Sequence, residues 1–282
     1  MTRLAPDVSS WLDAVELDHP CWTDYRDALT RLDGELFPGP ARLNARLDGR
    51  ARSSGSHLIR FVPSSALAQV DYETHIYQTG EVSTRENNWH DLFNALCWYK
   101  WPQLKGAMNR RHYLSMTGHA QAGRSSDRDV LTLFDECGAV LVSPSHSALN
   151  AVITHQWDRV FNGDAVQWNA RFRIFITGHA MLEKFLQPYK AMTANMLLVK
   201  VSEKDFGMPR ARQLAALDAR LGHAVKHSGL LTQTRELSPL PLPGIPGWWQ
   251  DSPQDNDFYR DRSVFRPAGK NAVGGQIIPL EL

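Results

Sequence analysis

The stretch Asn87–Pro102, NNWHDLFNALCWYKWP, sets the reading of the whole chain. On a helix starting at Asn88, the residues Trp89, Leu92, Phe93 and Leu96 fall at i, i+3, i+4 and i+7 and make one apolar stripe. Asn87, His90, Asp91 and Asn94 follow the same spacing on another face, and Trp98 and Trp101 extend that line. A solvated helix face is usually filled with Lys, Glu and Gln, which suit helix and water alike. Short Asn, Asp and His beside indoles describe a partly enclosed polar pocket instead. Part of the pattern has a local explanation. Asn88 is a good N-cap, and Asp91, three residues later, meets the first-turn amides and the helix dipole. A cap does not account for His90 or Asn94.

The pattern stays helical from Asn88 to about Asn162, with Pro102 separating one helix from the next. A third helix is expected with Ser126 as N-cap and Gly138 as its C′ residue, followed by a short strand over Ala139–Val142. Further strands are expected over Phe172–Thr177 and Asn195–Val201, and an amphipathic helix over Arg210–Lys226. Upstream, residues 1–44 read as helical and 44–56 as a flexible polar loop. His57–Val62 reads as a weak strand, and Tyr72–Thr84 as a hairpin turning near Thr79-Gly80. The Pro-rich C-terminal stretch also carries Leu, Ile and Trp, so it reads as an extended strap over 238–267 and not as a linker. The expectation is an α+β fold, predominantly α-helical, with a small sheet or hairpin. One domain is expected over 1–270, made of a helical N-terminal part (1–56), a helical core (85–230) and the strap, with 271–282 as a tail.

Composition excludes several classes. Of 282 residues, 31 are Lys or Arg and 30 Asp or Glu, a formal net charge of +1. That balance gives no overall pull toward nucleic acid or an anionic membrane, and nucleic acid is not favoured as a partner. No apolar run reaches the roughly 18–20 residues of a membrane helix, and the N-terminus lacks the apolar stretch of a signal peptide. Three widely spaced cysteines, Cys21, Cys97 and Cys137, without a CxxC pair, read as reduced thiols, so the cytoplasm is the expected location.

Two further constellations join the opening one. Gly178-His179-Ala180-Met181-Leu182-Glu183-Lys184 puts His179 and Glu183 one helical turn apart, a spacing that can ligate a metal ion or orient a general base. On Asp127–Cys137, the residues Arg128, Thr132, Asp135 and Glu136 share a face opposite Val130, Leu131 and Phe134. Two adjacent carboxylates at a helix C-terminus oppose its dipole, so Asp135-Glu136 needs a cation, a metal ion or water. HExxH, Walker A, GxGxxG and GxSxG motifs are all missing. The His90-Asp91 pair is similar to the HD of metal-dependent phosphohydrolases, with His75 upstream and Asp135 downstream, although a dipeptide is a weak signal.

At these motifs the chain resembles the bacterial domain of unknown function 3025 family. The matching stretches are Asn88–Leu96, Arg128–Gly138, Gly178–Lys184, Pro243-Gly244-Ile245-Pro246-Gly247-Trp248-Trp249 and Val264-Phe265-Arg266-Pro267. The resemblance implies motif boundaries and a bacterial origin; it implies no reaction.

Two functional readings follow. In the first, the protein is a metal-assisted hydrolase acting on a small molecule. His90, Asp91, His179 and Glu183 are then its catalytic groups, and His90, Asp135, Glu136 and His179 hold a divalent ion. Asn94, Arg128 and Trp98 contact the substrate. In the second, it is a non-enzymatic binding protein for nucleic acid or a protein partner, and the polar motifs are a structural hydrogen-bond network. Lys105, Arg110, Arg111, His112 and Arg124 would form one basic patch, and Arg171 and Arg173 another.

Overall fold

Asn88 opens the expected helix, its side-chain oxygen accepting the amide of Asp91 at 3.0 Å. The computed structural model describes residues 10–46, 51–67, 71–117, 124–269 and 274–282. They form two compact units, one of Met1–Leu131 with Ala215–Thr232, the other of Thr132–Leu214 with Gln233–Leu282. Helices dominate, with small sheets, so the fold is α+β and mainly α.

The first unit holds α1 (Arg26–Arg31), α2 (Pro40–Arg46), β1 (Arg60–Pro63), α3 (Tyr72–Thr79), β2 (Glu81–Thr84), α4 (Trp89–Lys100) and α5 (Pro102–Met116). The α4 stripe is buried as its spacing requires, and aromatic residues from the N-terminal segment close over it. Trp22 stacks on Phe93 at 5.4 Å, and Trp11 and Phe37 pack on Trp89 at 5.7 and 5.0 Å. Tyr25 is fully buried and its hydroxyl accepts from the Trp101 indole at 3.2 Å. The expected hairpin over Tyr72–Thr84 does not form. Asp71 caps the amide of Thr74, and Gly80 ends the helix in the left-handed region at φ 77°, so Tyr72–Thr79 is α3. β1 and β2 then pair in parallel, Arg60 opposite Glu81, with α3 inside the crossover. Gly80 is a helix stop and not a hairpin turn. Of the loop expected to be flexible over 44–56, residues 47–50 lie outside the described residues. Residues 44–46 belong to α2, and residues 51–56 form a hydrogen-bonded turn, with buried Ala51 and Ser53 and a bond from the Ser53 amide to the His57 carbonyl.

The second unit begins within α6 (Arg124–Cys137), which starts two residues before the expected cap, Ser126. It continues through β3 (Gly138–Ser143), α7 (His146–Ile153), α8 (Trp157–Val160), α9 (Ala165–Asn169), β4 (Arg173–Ile176), α10 (His179–Lys184), β5 (Thr193–Lys200) and α11 (Glu203–Phe206). The helix α12 (Arg210–His227) starts in this unit and from Ala215 belongs to the first; β6 (Ser238–Pro241), α13 (Asn256–Tyr259) and β7 (Ile277–Pro279) complete the second unit. β3 is buried at every residue and lies between antiparallel β4 and parallel β5, the pattern of a central strand. β6 pairs with the first half of β5 and β7 with the second. Two prolines fit in β6 because it is a short edge strand. The C-terminal residues expected as a tail therefore include a strand, since Ile277 and Ile278 have β5 to pair with. Among the described residues, no helix is long and apolar enough to cross a membrane.

Candidate functional site

The polar face of α4 is enclosed, as its composition suggests, and most of it is answered within the first unit. Asp91 is buried, and Arg85 takes both its oxygens. The Arg85 amide and Nε donate to Oδ2 at 2.7 and 2.9 Å, and a terminal nitrogen donates to Oδ1 at 2.7 Å. Asn94 is also buried. Its amide nitrogen donates to the Tyr72 hydroxyl at 2.8 Å, and its oxygen accepts from the Lys105 ammonium at 2.9 Å. That ammonium also stands 5.4 Å from the centre of the Trp98 ring. Trp98 itself is only 2% exposed. His90 is half-buried on the same helix, and Arg128 is exposed on α6. His75 pairs with Glu81 at 3.1 Å, so it is accounted for by the small sheet.

Of the expected basic patch, Arg110 and Arg111 are half-buried on α5 and the other α5 members lie deeper. Lys105 and His112 are buried, and Arg111 donates to the carbonyl of Leu230. In the second unit, Arg171 donates to the carbonyls of Arg159 and Asn162, and Arg173 to that of Met208. These cations satisfy backbone oxygens, a need that composition alone does not reveal. Arg124 has a side chain outside the description.

In the second unit, Asp135, Glu136 and His179 come together. α6 runs straight into β3 with no intervening loop. Antiparallel pairing sets Ala139 opposite Ile176, and the amides of Thr177 and Gly178 both donate to the carbonyl of Gly138. This brings the start of α10 against the last turn of α6. The approach is tight enough to demand glycine at 178, and the turn from α6 into β3 demands it at 138. A Cβ on Gly178 would lie 2.5 Å from the Glu136 carbonyl oxygen and 2.6 Å from the Gly138 nitrogen. A Cβ on Gly138 would lie 2.2 Å from the carbonyl oxygen of Phe134. Gly138 therefore serves close packing and begins β3; it is not the C′ residue its position suggests.

His179 is the first residue of α10 and is 5% exposed. Its two ring nitrogens face two different carboxylates. Nδ1 lies 3.7 Å from Asp135 Oδ2, and Nε2 lies 3.5 Å from Glu136 Oε2. The Asp135 side chain is 20% exposed and that of Glu136 is 37% exposed, so Glu136 is the more open of the two. On the same corner, the Lys184 ammonium stands 3.3 Å from Cys137 Sγ, and Glu183 is half-buried one turn after His179. An imidazole between two carboxylates can hold its tautomer through one of them while its other nitrogen is offered to a metal ion or a proton.

Sequence reading missed Arg85, Tyr72 and Lys105 as members of the α4 network. Lys105 carried a signal: on α5 it falls between Leu104 and Gly106-Ala107, a poor place for a solvated lysine.

A mainly helical α+β protein with a His–carboxylate corner at a helix end is the class that fold and site define. Within that class the chain belongs to the family described as protein of unknown function DUF3025, which it matches over residues 59–269. Comparison with curated proteins and with solved structures finds no match.

Proposed function

We propose that the α6–α10 corner holds one divalent metal ion and that the protein is a metal-assisted hydrolase of a small molecule. The observation that carries this reading is the 3.5 Å separation of His179 Nε2 and Glu136 Oε2. Two ligand atoms, each about 2.0–2.2 Å from a tetrahedral ion, stand roughly 3.4 Å apart. Asp135, 3.7 Å from Nδ1, is the carboxylate proposed to orient the ligating ring, by closing to hydrogen-bond distance when the ion binds. A divalent ion in this place supplies Lewis-acid activation of water and of an electrophilic carbonyl or phosphoryl group. Glu183, on the next turn of α10, is the proposed general base.

His90 is proposed as a further ligand, and Asn94, Trp98 and Arg128 are proposed as substrate contacts from their residue types. Asp91 is accounted for by Arg85.

The test is a titration of chelator-stripped full-length protein with zinc and with manganese. One equivalent should bind. Glu136→Gln and His179→Ala should each weaken binding at least 100-fold, and Asp135→Asn by about 10–100-fold, the usual cost of losing an orienting partner. Absence of saturable binding by either metal would remove the metal, and His90→Ala in the same titration tests that residue's assignment. The hydrolase reading then stands or falls on a screen of ester, amide and phosphoester substrates with the loaded protein.

A second reading is a non-enzymatic binding protein whose polar motifs are architecture. The pairing of Asp91 with Arg85 and of Asn94 with Tyr72 and Lys105 favours it for the first unit. The use of Arg111, Arg171 and Arg173 on backbone carbonyls argues against nucleic acid as the partner.

A further inference from the structure

The first unit has a second polar feature, separate from the α4 network, where α5 crosses the second half of α12. A groove of about 430 Å³ opens there, lined by Arg52, His223, Lys226 and His227 among others. Its size is that of a small-molecule site. Two glycines let its walls approach. A Cβ on Gly222 of α12 would lie 2.8 Å from the backbone carbon of Gln103, and one on Gly106 of α5 would lie 2.9 Å from the carbonyl oxygen of Arg52.

The charged side chains that line this groove are all basic, and the nearest carboxylate, Asp218, is buried behind the wall with its oxygens on the amides of Gln103 and Leu104. Arg52 comes from the turn before β1, and His223, Lys226 and His227 from the last two turns of α12; no carboxylate lines it among the described residues. Cations in the last turn of a helix answer its carbonyl end. That need does not extend to Arg52, which lies on another segment and uses one guanidinium nitrogen on the carbonyl of Ser56. The rings of His223 and His227 lie 4.7 Å apart. His227 is held below the ordinary imidazole value by desolvation first, then by the nearby His223, Lys226 and Arg110.

We propose that this groove binds a phosphate group, either free or carried by a small metabolite. Arg52 supplies planar paired donors and Lys226 a point charge, the two ways in which proteins hold phosphate oxygens. The imidazoles add N–H donors on the same face. Binding here neither requires nor affects the ion proposed for the second unit.

Calorimetric titration of the full-length protein with inorganic phosphate, at low chloride and with chelator present, tests the proposal. The chelator keeps any metal-borne phosphate binding out of the signal. One saturable site is expected, with affinity at least tenfold weaker in Lys226→Glu and in Arg52→Gln. Lys226 is exposed, so its variant should fold as the parent does, which a thermal unfolding curve checks. No saturable binding, or equal affinity in parent and Lys226→Glu, overturns the proposal. Displacement of phosphate by a single-stranded oligonucleotide, with a steep fall of its affinity as salt rises, would also overturn it in favour of a nucleic-acid surface.

Discussion

The α4 face of the first unit and the α6–α10 corner of the second are built from the same residue types and differ in what meets each carboxylate. Around α4, Asp91 meets a guanidinium in bidentate fashion, and Asn94 stands between an ammonium and a phenol. At the end of α6, two successive carboxylates converge on opposite nitrogens of one imidazole. A carboxylate held by arginine has its lone pairs committed and contributes to folding. A carboxylate beside a histidine nitrogen, 3.5 Å away and partly open to solvent, is placed to share a cation. Residue type is common to both regions, and the geometry of the partners is what differs.

The largest expected effect comes from the contact that creates the second region. Gly178→Ala forces a Cβ against two backbone atoms, neither of which can move alone. A loss of about 3 kcal/mol in urea unfolding is expected, together with loss of metal binding, because His179 is displaced from Glu136. Parent-like stability with retained metal binding would break the account of how this corner is built.

Much of the fold was legible because hydrophobic periodicity fixes buried faces. The α4 stripe, the apolar run of β3 and the amphipathic α12 are each determined by spacing along one segment. Glycines were legible as punctuation but not as to kind. Gly80 and Gly138 mark element ends in sequence, yet one is a left-handed helix stop and the other clears room for Phe134. That distinction depends on backbone conformation and on the path of the next strand, which residue type does not state. The site was legible in part. Two adjacent carboxylates at the end of α6 oppose its dipole, and His179 is the imidazole that lies beside both. The partner of Asp91 was not legible, because Arg85 lies just before the helix in a segment with no pattern of its own.

Asp91→Asn tests the first half of the comparison. It removes the charge from a bidentate pair with Arg85 and should cost about 2 kcal/mol, read from urea unfolding, while metal affinity stays as in the parent. A loss of metal affinity without a loss of stability would move Asp91 from architecture to chemistry.

A third carboxylate sharpens the comparison through pH. α5 has no capping side chain of its own, and Asp218 from α12 accepts the amides of Gln103 and Leu104 instead. Burial outweighs those bonds and raises its pKa from 3.8 to about 6. A carboxyl whose folded value is raised contributes stability that is fully present below the unfolded value and is lost as pH rises through the folded one. Lowering the pH from 7 to 5 should therefore add on the order of 1 kcal/mol from this residue. Asp218→Asn should flatten that part of the stability profile, and an unchanged slope would contradict the assignment.

The smallest effect is the most discriminating. Glu136 lies in the last turn of α6, beside Asp135, where negative charge opposes the helix dipole. If it serves the fold as Asp91 does, Glu136→Gln should cost a comparable amount. If it serves a bound ion, the variant of the metal-free protein should be as stable as the parent or gain about 0.3 kcal/mol from relief of that opposition, while metal affinity falls. The two measurements pull apart only when the carboxylate is kept for chemistry. A stability loss near that of Asp91→Asn would make the second region architecture as well, and the difference between the two regions would vanish.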